Sequence, residues 1–168
     1  LAVGLTTDAG PGGVDKLARV CAELQSELGI AVCNASIATQ EALRHIGVER
    51  IAVLTPFNSE IDRHVRDNIA SGGFDVATIR GTEAASLPAI CETPLEQILQ
   101  LAHELAESDC DAIAQIGTAL PVMGLIERIE QETGKPLIAC NAAVYWQTLR
   151  AAGIDDPITG FGRLLAGR

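Results

Sequence analysis

The segment GVERIAVLTPFNSEIDRHVRDNIASGG, residues 47–73, decides the fold because it holds a strand, a turn and a helix in succession. Its run RIAVLT (50–55) is short, apolar and rich in β-branched residues, which is typical of a buried strand. Asn58 or Ser59 can cap the helix that follows, acidic residues occupy its first turn, and Gly72-Gly73 ends it. The segment therefore predicts one strand–turn–helix unit.

The same alternation of strand and helix runs through the rest of the chain. Further strand-like runs lie at 1–5, 29–33, 74–79, 112–117 and 136–140. Helix-like segments lie at 13–28, 37–46, 94–108, 121–133 and 142–152. Thr93 is the predicted N-cap of the helix that starts at Pro94. Strands joined by helices of this length predict an α/β fold, with parallel strands covered by helices on both faces.

An internal repeat relates two parts of the chain. ELGIAVCNASIATQEALRHIGV (27–48) resembles ETGKPLIACNAAVYWQTLRAAGI (132–154), and both place Cys-Asn-Ala at the end of a strand. Two copies of one unit predict a pseudo-twofold molecule with a cleft between two lobes. Because parallel α/β sheets bind ligands beyond the carboxyl ends of their strands, the residues that follow each strand are the candidates for a site.

Composition and short motifs exclude several classes of function. The formal net charge of −10 argues against a nucleic-acid or membrane partner, since anionic partners of both kinds require basic residues. Five cysteines without a CxxC pair favour a reduced, cytoplasmic protein, and no run of about 18 apolar residues predicts a membrane helix. Without a metal-ligand cluster, a GxGxxG motif or a Walker loop, we expect neither a metal nor a cofactor. The chain begins at Leu1 inside a strand-like run, so we expect the N-terminal strand or strands of the fold to be missing.

Polar residues after the predicted strands form the candidate ligand site. Thr6, Thr7 and Thr118 could hold a carboxylate through hydroxyl and N–H groups, or could cap the helices that follow. Phe57 and Asn58 belong to the turn TPFNS, which is either an anion-binding loop or a helix cap. Both alternatives stay open at each of these positions.

Cys33 and Cys140 are the cysteines that end apolar runs. Each is either a small core residue or a nucleophile that the N-terminus of the following helix activates. The other three cysteines are interpreted as structural, and no spacing of histidine with serine or cysteine indicates a catalytic triad.

Three segments, in order, are similar to one known family. GVERIAVLTPFNSEIDRHV (47–65) resembles its pattern Leu-Gly-x-x-Arg-[Ile/Val]-Ala-x-x-[Thr/Ser]-Pro-Tyr. DAIAQIGTALPVMGLIERIEQETGKPLIACNAAVYWQTLRAAGI (111–154) resembles its second half, and ITGFGRLL (158–165) resembles its C-terminal ending. The family is the Asp/Glu racemase superfamily, in its maleate isomerase and arylmalonate decarboxylase branch. The resemblance covers nearly the whole chain.

The resemblance implies two pseudo-symmetric Rossmann-like, or flavodoxin-like, lobes that bind a small carboxylic acid between them. We expect the first lobe to comprise residues 1–48 and 142–168, and the second to comprise residues 49–141. The resemblance also implies cofactor-independent chemistry, in which one or two cysteines act at a double bond or at a carbon next to a carboxylate. Members of this family commonly self-associate, so we expect a homodimer or a higher oligomer.

The residues at the family's cysteine positions are not cysteines here. Those positions fall on Leu5 and Gly117, which have no titratable atom and cannot carry a proton or act as a nucleophile. Phe57 replaces the family tyrosine, keeping the ring without the phenolic donor, and Asn141 matches an asparagine of the family.

Two functions follow from these observations. The first is an enzyme that isomerises, racemises or decarboxylates a small mono- or dicarboxylate, with Cys33 or Cys140 as substitutes for the lost thiols. Its substrate-binding residues would be Thr6, Thr7, Phe57, Asn58, Thr118 and Asn141. The second is a catalytically degenerate protein of the same fold that binds or senses a carboxylate. A third function is that of a flavodoxin-like protein that binds a nucleotide or phosphate. It would require a glycine-rich fingerprint, which the sequence lacks.

Overall fold

The computed structural model describes residues 1–4 and 13–167, in which strands and helices alternate. The strands are β1 (Ala2–Val3), β2 (Cys33–Asn34), β3 (Arg50–Thr55), β4 (Asp75–Gly81), β5 (Ala112–Gln115) and β6 (Leu137–Ala139). The helices are α1 (Gly13–Leu28), α2 (Ala35–His45), α3 (Ser59–Ser71), α4 (Leu87–Cys91), α5 (Leu95–Ala106), α6 (Ile126–Thr133), α7 (Cys140–Ala151) and α8 (Gly162–Ala166). A 3₁₀ helix, Met123–Leu125, precedes α6.

Two parallel sheets confirm the predicted α/β class. The larger has the strand order β4-β3-β5-β6, with Val53 of β3 opposite Ile79 on one side and Ala114 on the other. The smaller pairs β1 with β2, where Ala2 lies opposite Cys33. Because all pairs are parallel, the loops that follow β3, β5 and β6 lie at one edge of the larger sheet.

The larger sheet is buried on both faces, as its continuous apolar strands predicted. Ile51 and Val53 point to one face, where they join a core with residues of α2, α3 and α7. Ala52 and Leu54 point to the other face, where the core includes residues of α5 and α6. This alternation along β3 follows from the two-residue period of a strand. Helices therefore cover both faces.

The two copies of the internal repeat pack against each other but differ in detail. Helices α2 and α7 are in contact, and the Nε2 of Gln147 donates to Glu41 between them at 2.6 Å. Asn34 lies outside its helix and caps it, accepting from the N–H groups of Ser36 and Ile37. Asn141 lies one residue inside α7, so its side chain is available for a different contact. The expected division into two lobes, 1–48 with 142–168 and 49–141, stays a prediction.

Several expected element boundaries were wrong. Thr93 does not cap α5, which begins at Leu95; the Thr93 hydroxyl instead donates to the carbonyl of Ala89 at 3.2 Å. The short helices α4 and α8 were not predicted. The fifth strand ends at Gln115 rather than at residue 117, because Gly117 adopts a φ of 109° that a strand does not contain.

Among the described residues, none of the helices combines the length and the apolar character needed to span a membrane.

Asp111 fixes the amino end of the contact between β3 and β5. Its Oδ2 accepts from the N–H groups of Arg50 and Glu49 at 2.8 and 3.1 Å, while its own N–H donates to the Arg50 carbonyl. The Arg50 and Glu49 N–H groups favour the charged carboxylate and lower the pKa of Asp111. The ionised side chain therefore satisfies two donors at the point where β3 begins.

Asp111→Asn is expected to lower the melting temperature near neutral pH, because a neutral carboxamide accepts the same two N–H bonds more weakly. A carboxyl with a lowered folded pKa stabilises above its ordinary pKa of about 3.9, and this stabilisation disappears as the pH falls through the folded value. Thermal unfolding should therefore separate the variant from the wild type at about pH 7 and bring the two together at about pH 2.

Asp109→Asn is the matched control, because Asp109 is exposed and meets Arg50 only through a 3.6 Å ion pair besides its backbone. If Asp109→Asn lowered the melting temperature as much as Asp111→Asn, the stabilising role of the two N–H bonds to Asp111 would be contradicted.

Candidate active site

The candidate site lies where the loops that follow β3 and β5 meet the start of α7. The β3 loop contributes Pro56 and Phe57, both of which touch the backbone at Gly117 of the β5 loop. Asn141 of α7 donates through Nδ2 to the carbonyl of Thr118 at 2.9 Å. Three of the predicted binding residues, Phe57, Thr118 and Asn141, are thus brought together.

Leu5, Thr6 and Thr7 lie outside the described residues, so their expected roles stay predictions. The strand before them nevertheless ends beside the site. A Cβ placed on Gly4, which directly follows β1, would lie 3.9 Å from the Cγ2 of Thr118. The carboxyl end of β1 is therefore close to the β5 loop.

Gly117 is required by both its conformation and its surroundings. Its φ of 109° lies in a region that side chains disfavour. A Cβ at this position would lie 2.6 Å from the Cδ of Pro56 and 3.3 Å from the Cζ of Phe57. No side chain fits there unless the β3 loop moves, so the position is sterically closed to cysteine as to any other side chain.

Two side-chain carboxamides donate hydrogen bonds to backbone carbonyls of the β5 loop. Gln115 donates through Nε2 to the Gly117 carbonyl at 2.8 Å, and Asn141 donates to the Thr118 carbonyl. Because a trans peptide is planar, the N–H groups of Thr118 and Ala119 point away from those two carbonyls. Within the described part of the chain, neither N–H donates a hydrogen bond. The loop therefore presents two adjacent backbone donors, an arrangement that suits an anion.

Asn58 serves as a helix cap, the alternative that the sequence left open. Its Oδ1 accepts from the N–H groups of Glu60 and Ile61, each at 3.1 Å. A second chain of bonds holds the turn before it, since the Phe57 N–H donates to the hydroxyl of Thr55. That hydroxyl donates in turn to Asp62 at 2.6 Å. The conformation of Phe57 is thus fixed by the first turn of α3.

Asp62 is a partly buried carboxyl that the sequence reasoning did not single out. Burial raises its pKa, the hydrogen bond from Thr55 opposes this effect, and the nearby carboxylate of Glu83 adds to it. Glu83 has a φ of 52°, which is unusual for a residue with a side chain. An acidic residue in the first turn of a helix normally indicates only a favourable dipole interaction, so the sequence held no sign of this contact.

Cys140 has the environment of a core residue. Its side chain is 0% exposed, and its thiol donates to the Oε1 of Gln115 at 3.8 Å. Burial raises the pKa of Cys140 to about 12, although the N–H groups of Gly117 and Asn141 oppose the shift. A protonated, inaccessible thiol is a poor nucleophile. Cys33 is also buried, in the smaller sheet beside β1.

Comparison with known proteins places the chain in a family. Residues 13–165 match the family model described as arylmalonate decarboxylase. The chain belongs to the arylmalonate decarboxylase family. This confirms the branch inferred from the segments 47–65 and 111–154.

The curated proteins similar to this chain include two kinds of enzyme. The chain is 28% identical to the maleate isomerase of Nocardia farcinica over 159 residues, which is 93% of this chain and 63% of that protein. It is 22% identical to the arylmalonate decarboxylase of Bordetella bronchiseptica over 144 residues, or 84% of this chain and 60% of that protein. The chain spans between 55% and 64% of the length of the curated relatives it matches.

Solved structures of a maleate isomerase and of an arylmalonate decarboxylase superpose closely on the chain. One is the Nocardia farcinica maleate cis-trans isomerase, as a cysteine-to-serine mutant with a covalently bound succinylcysteine intermediate. Its TM-score is 0.92 at 25% identity, covering 99% of this chain and 70% of that one. An arylmalonate decarboxylase structure has a TM-score of 0.90 at 20% identity, covering 99% of this chain and 75% of that one, and it supports the fold.

Cysteine labelling of this family member tests the assignment of Cys140 to the core. In the native full-length protein, iodoacetamide at about pH 8 is expected to modify exposed Cys91 first and to leave Cys140 unmodified, because alkylation requires an accessible thiolate. Peptide mass spectrometry over time measures both rates. Cys110 is the matched buried control and should be protected to a similar extent until the protein is denatured. Labelling of Cys140 as fast as that of Cys91 would contradict the assignment.

Gly117→Cys, which introduces a cysteine where the family resemblance predicted one, is expected to lower the free energy of unfolding by about 2–4 kcal/mol, because backbone strain adds to overlap with Pro56. Urea unfolding measures the change. Gly73→Cys is the matched control, since Gly73 has a φ of 92° but nothing within 4 Å of its Cβ position. The difference between the two variants isolates the overlap, and equal losses would show that Pro56 and Phe57 do not close the position.

Proposed function

We propose that this protein is a cofactor-independent enzyme that isomerises, racemises or decarboxylates a small mono- or dicarboxylic acid. The observation that carries the proposal is the pair of N–H groups on Thr118 and Ala119 beside the ring of Phe57. Adjacent backbone donors bind carboxylate oxygens well, because their dipoles are fixed before the ligand arrives. The maleate isomerase and arylmalonate decarboxylase relatives support the same class of substrate.

Each residue of the proposed binding site has a separate task. The N–H groups of Thr118 and Ala119, with the Thr118 hydroxyl, would hold one carboxylate. Asn141 supports that loop from the start of α7. Phe57, which replaces a tyrosine of the family, would form an apolar wall without a phenolic donor. Thr6 and Thr7, which follow β1 in the sequence, stay predicted binding residues.

Among the three reactions, we favour decarboxylation or proton transfer over covalent isomerisation. Addition of a thiol to a double bond requires a nucleophile, and neither Gly117 nor buried Cys140 provides one. When a carboxylate is lost as CO₂, the carbon–carbon electron pair stays on the α-carbon and delocalises into the remaining carboxylate. Backbone donors can stabilise this developing charge, and one such donor contributes about 10²–10³-fold in rate. Uptake of one proton at the α-carbon then completes the reaction.

Self-association and a cytoplasmic location stay predictions from the family resemblance and from the cysteine content. The ligand we propose is a small carboxylic acid, held without a nucleic-acid or membrane partner. The net charge of −10 is consistent with this proposal, since the site residues bind through neutral dipoles rather than through basic side chains.

Turnover by the full-length protein tests the proposal directly. Incubation with maleate, aspartate and an arylmalonate is expected to give fumarate, racemised aspartate or an arylacetate-type monoacid from at least one of them, detected by NMR and chiral chromatography. Binding without turnover would support the carboxylate-binding protein instead, and the absence of both would contradict both functions.

Asn141→Ala is expected to raise the KM of the active substrate about tenfold, because the lost hydrogen bond frees the Thr118 carbonyl. Asn34→Ala is the matched control: it changes the corresponding asparagine of the repeat, which caps α2. After correction for the folded fraction, its KM should stay within about twofold of the wild type.

Cys33→Ser and Cys140→Ser decide whether a displaced thiol takes part. Each is expected to keep turnover within about fivefold of the wild type, whereas removal of a nucleophile costs several orders of magnitude. A loss of about 10³-fold or more in either variant would identify that cysteine as the nucleophile and overturn the preference for a thiol-free reaction.

A further inference from the structure

Gln115 is a fully buried amide in the middle of an apolar sheet. It ends β5 at 0% exposure, and its neighbours across the sheet are Leu54 of β3 and Ala139 of β6. An amide in such a place costs about 1–3 kcal/mol unless its donors and acceptors are satisfied. An apolar side chain would avoid that cost. The presence of a glutamine here therefore requires an explanation beyond packing.

The hydrogen bonds of Gln115 are directed at the proposed carboxylate site. Its Nε2 donates to the Gly117 carbonyl at 2.8 Å, and its Oε1 accepts from the thiol of Cys140 at 3.8 Å. The thiol contact turns the oxygen of the amide towards Cys140 and the nitrogen towards Gly117. The amide nitrogen of Gln115 thus contacts the β5 loop, and its amide oxygen contacts the start of α7.

The peptide that Gln115 holds needs an external anchor. Glycine allows the peptide that follows it to rotate more freely than any other residue does, and Gly117 already has a φ of 109°. Rotation of the Gly117–Thr118 peptide would turn the Thr118 N–H away from a bound carboxylate. The Gly117 carbonyl also accepts from Leu120 within the loop at 3.2 Å, but Gln115 ties it to the rigid sheet.

We propose that Gln115 is a positioning residue that holds the Gly117–Thr118 peptide so that the Thr118 N–H faces the bound carboxylate. The inference rests on the proposed function for its ligand, but it concerns a residue that does not itself touch that ligand. In this proposal the thiol of Cys140 orients the amide of Gln115 and takes no part in covalent chemistry.

The chain offers a closely matched control for this proposal. Gln40 in α2 is 1% exposed and donates through Nε2 to the Asn68 carbonyl at 3.1 Å. Gln40→Met and Gln115→Met each replace a buried amide with an unbranched apolar side chain. Each removes a bond from Nε2 to a carbonyl and a bond that Oε1 accepts, from Arg44 at Gln40 and from Cys140 at Gln115. A merely structural role for Gln115 predicts similar losses of stability and no difference in ligand binding. A positioning role predicts a difference that only Gln115→Met shows.

Two measurements on the full-length protein test the proposal. Calorimetric titration with maleate and with phenylmalonate is expected to give a Kd about tenfold higher in Gln115→Met than in the wild type, and within about twofold in Gln40→Met. Without ligand, the ¹H–¹⁵N resonance of Thr118 is expected to broaden or split in Gln115→Met and to stay single in Gln40→Met, because the peptide is free to rotate.

Gln115→Glu keeps the size of the side chain and provides a second test of the positioning role if Gln115→Met does not fold. A protonated carboxyl can donate to the Gly117 carbonyl, whereas a carboxylate cannot. Ligand affinity in this variant should therefore fall, relative to the wild type, as the pH rises. Cys140 is the other titratable group in contact with this side chain within the described residues, and its pKa of about 12 keeps it protonated throughout.

The outcomes separate this inference from the proposed function. If the wild type binds neither probe and turns over none of the three acids, the proposed function fails, and the Thr118 resonance still decides whether Gln115 holds the peptide. An unchanged Thr118 resonance in Gln115→Met, or equal changes in Kd for Gln115→Met and Gln40→Met, would overturn the positioning role.

Discussion

Close contact between Gly117 and the turn at Pro56 and Phe57 is the constraint on which the candidate site depends. The two loops follow neighbouring parallel strands, β3 and β5, and can approach this closely only because one of them has no side chain at the point of contact. The missing Cβ allows the positive φ, and that φ turns the Gly117–Thr118 peptide out of the strand. The absence of a side chain at Gly117 therefore sets the direction of the Thr118 N–H group in the β5 loop.

Neutral dipoles, rather than charged side chains, define the chemistry of this site. Its described residues include no lysine or arginine, and the protein as a whole is strongly acidic. Fixed N–H groups attract a carboxylate more effectively when the surroundings exclude water, and the apolar ring of Phe57 contributes to that exclusion. The buried amide of Gln115 and the half-buried amide of Asn141 keep the donors from reorienting. Preorganisation thus takes the place of the positive charge that the sequence does not provide at these positions.

Part of this arrangement could be predicted from the sequence, because it depends on neighbours along the chain. Alternating strand and helix patterns gave the parallel α/β fold, and the loops after β3 and β5 were correctly expected to lie at one edge of a sheet. The capping role of Asn58 was one of two alternatives in the sequence, and the bonds to Glu60 and Ile61 confirm it, whereas contact of Asn58 with a ligand stays a prediction. Thr93 was assigned to the wrong helix terminus because its hydroxyl pairs with the preceding helix α4, which is too short to show a periodic pattern. The sequence shows Gln115 as a polar residue in an apolar strand. Its proposed positioning role depends on the Gly117 carbonyl, which lies within hydrogen-bond distance of the side chain only in the folded loop.

By itself, the sequence determined the class of fold, the family and the set of strand ends at which a ligand could bind. These features follow from periodicity, composition and motif order, which are local properties of the chain. Only the tertiary structure shows that Cys140 lies in the core, because its burial and the resulting pKa of about 12 depend on the strands and helices packed around it. The direction of the Thr118 and Ala119 N–H groups was likewise decided in three dimensions. It depends on hydrogen bonds from Gln115 and Asn141, and the second of these joins residues that are 23 positions apart in the chain.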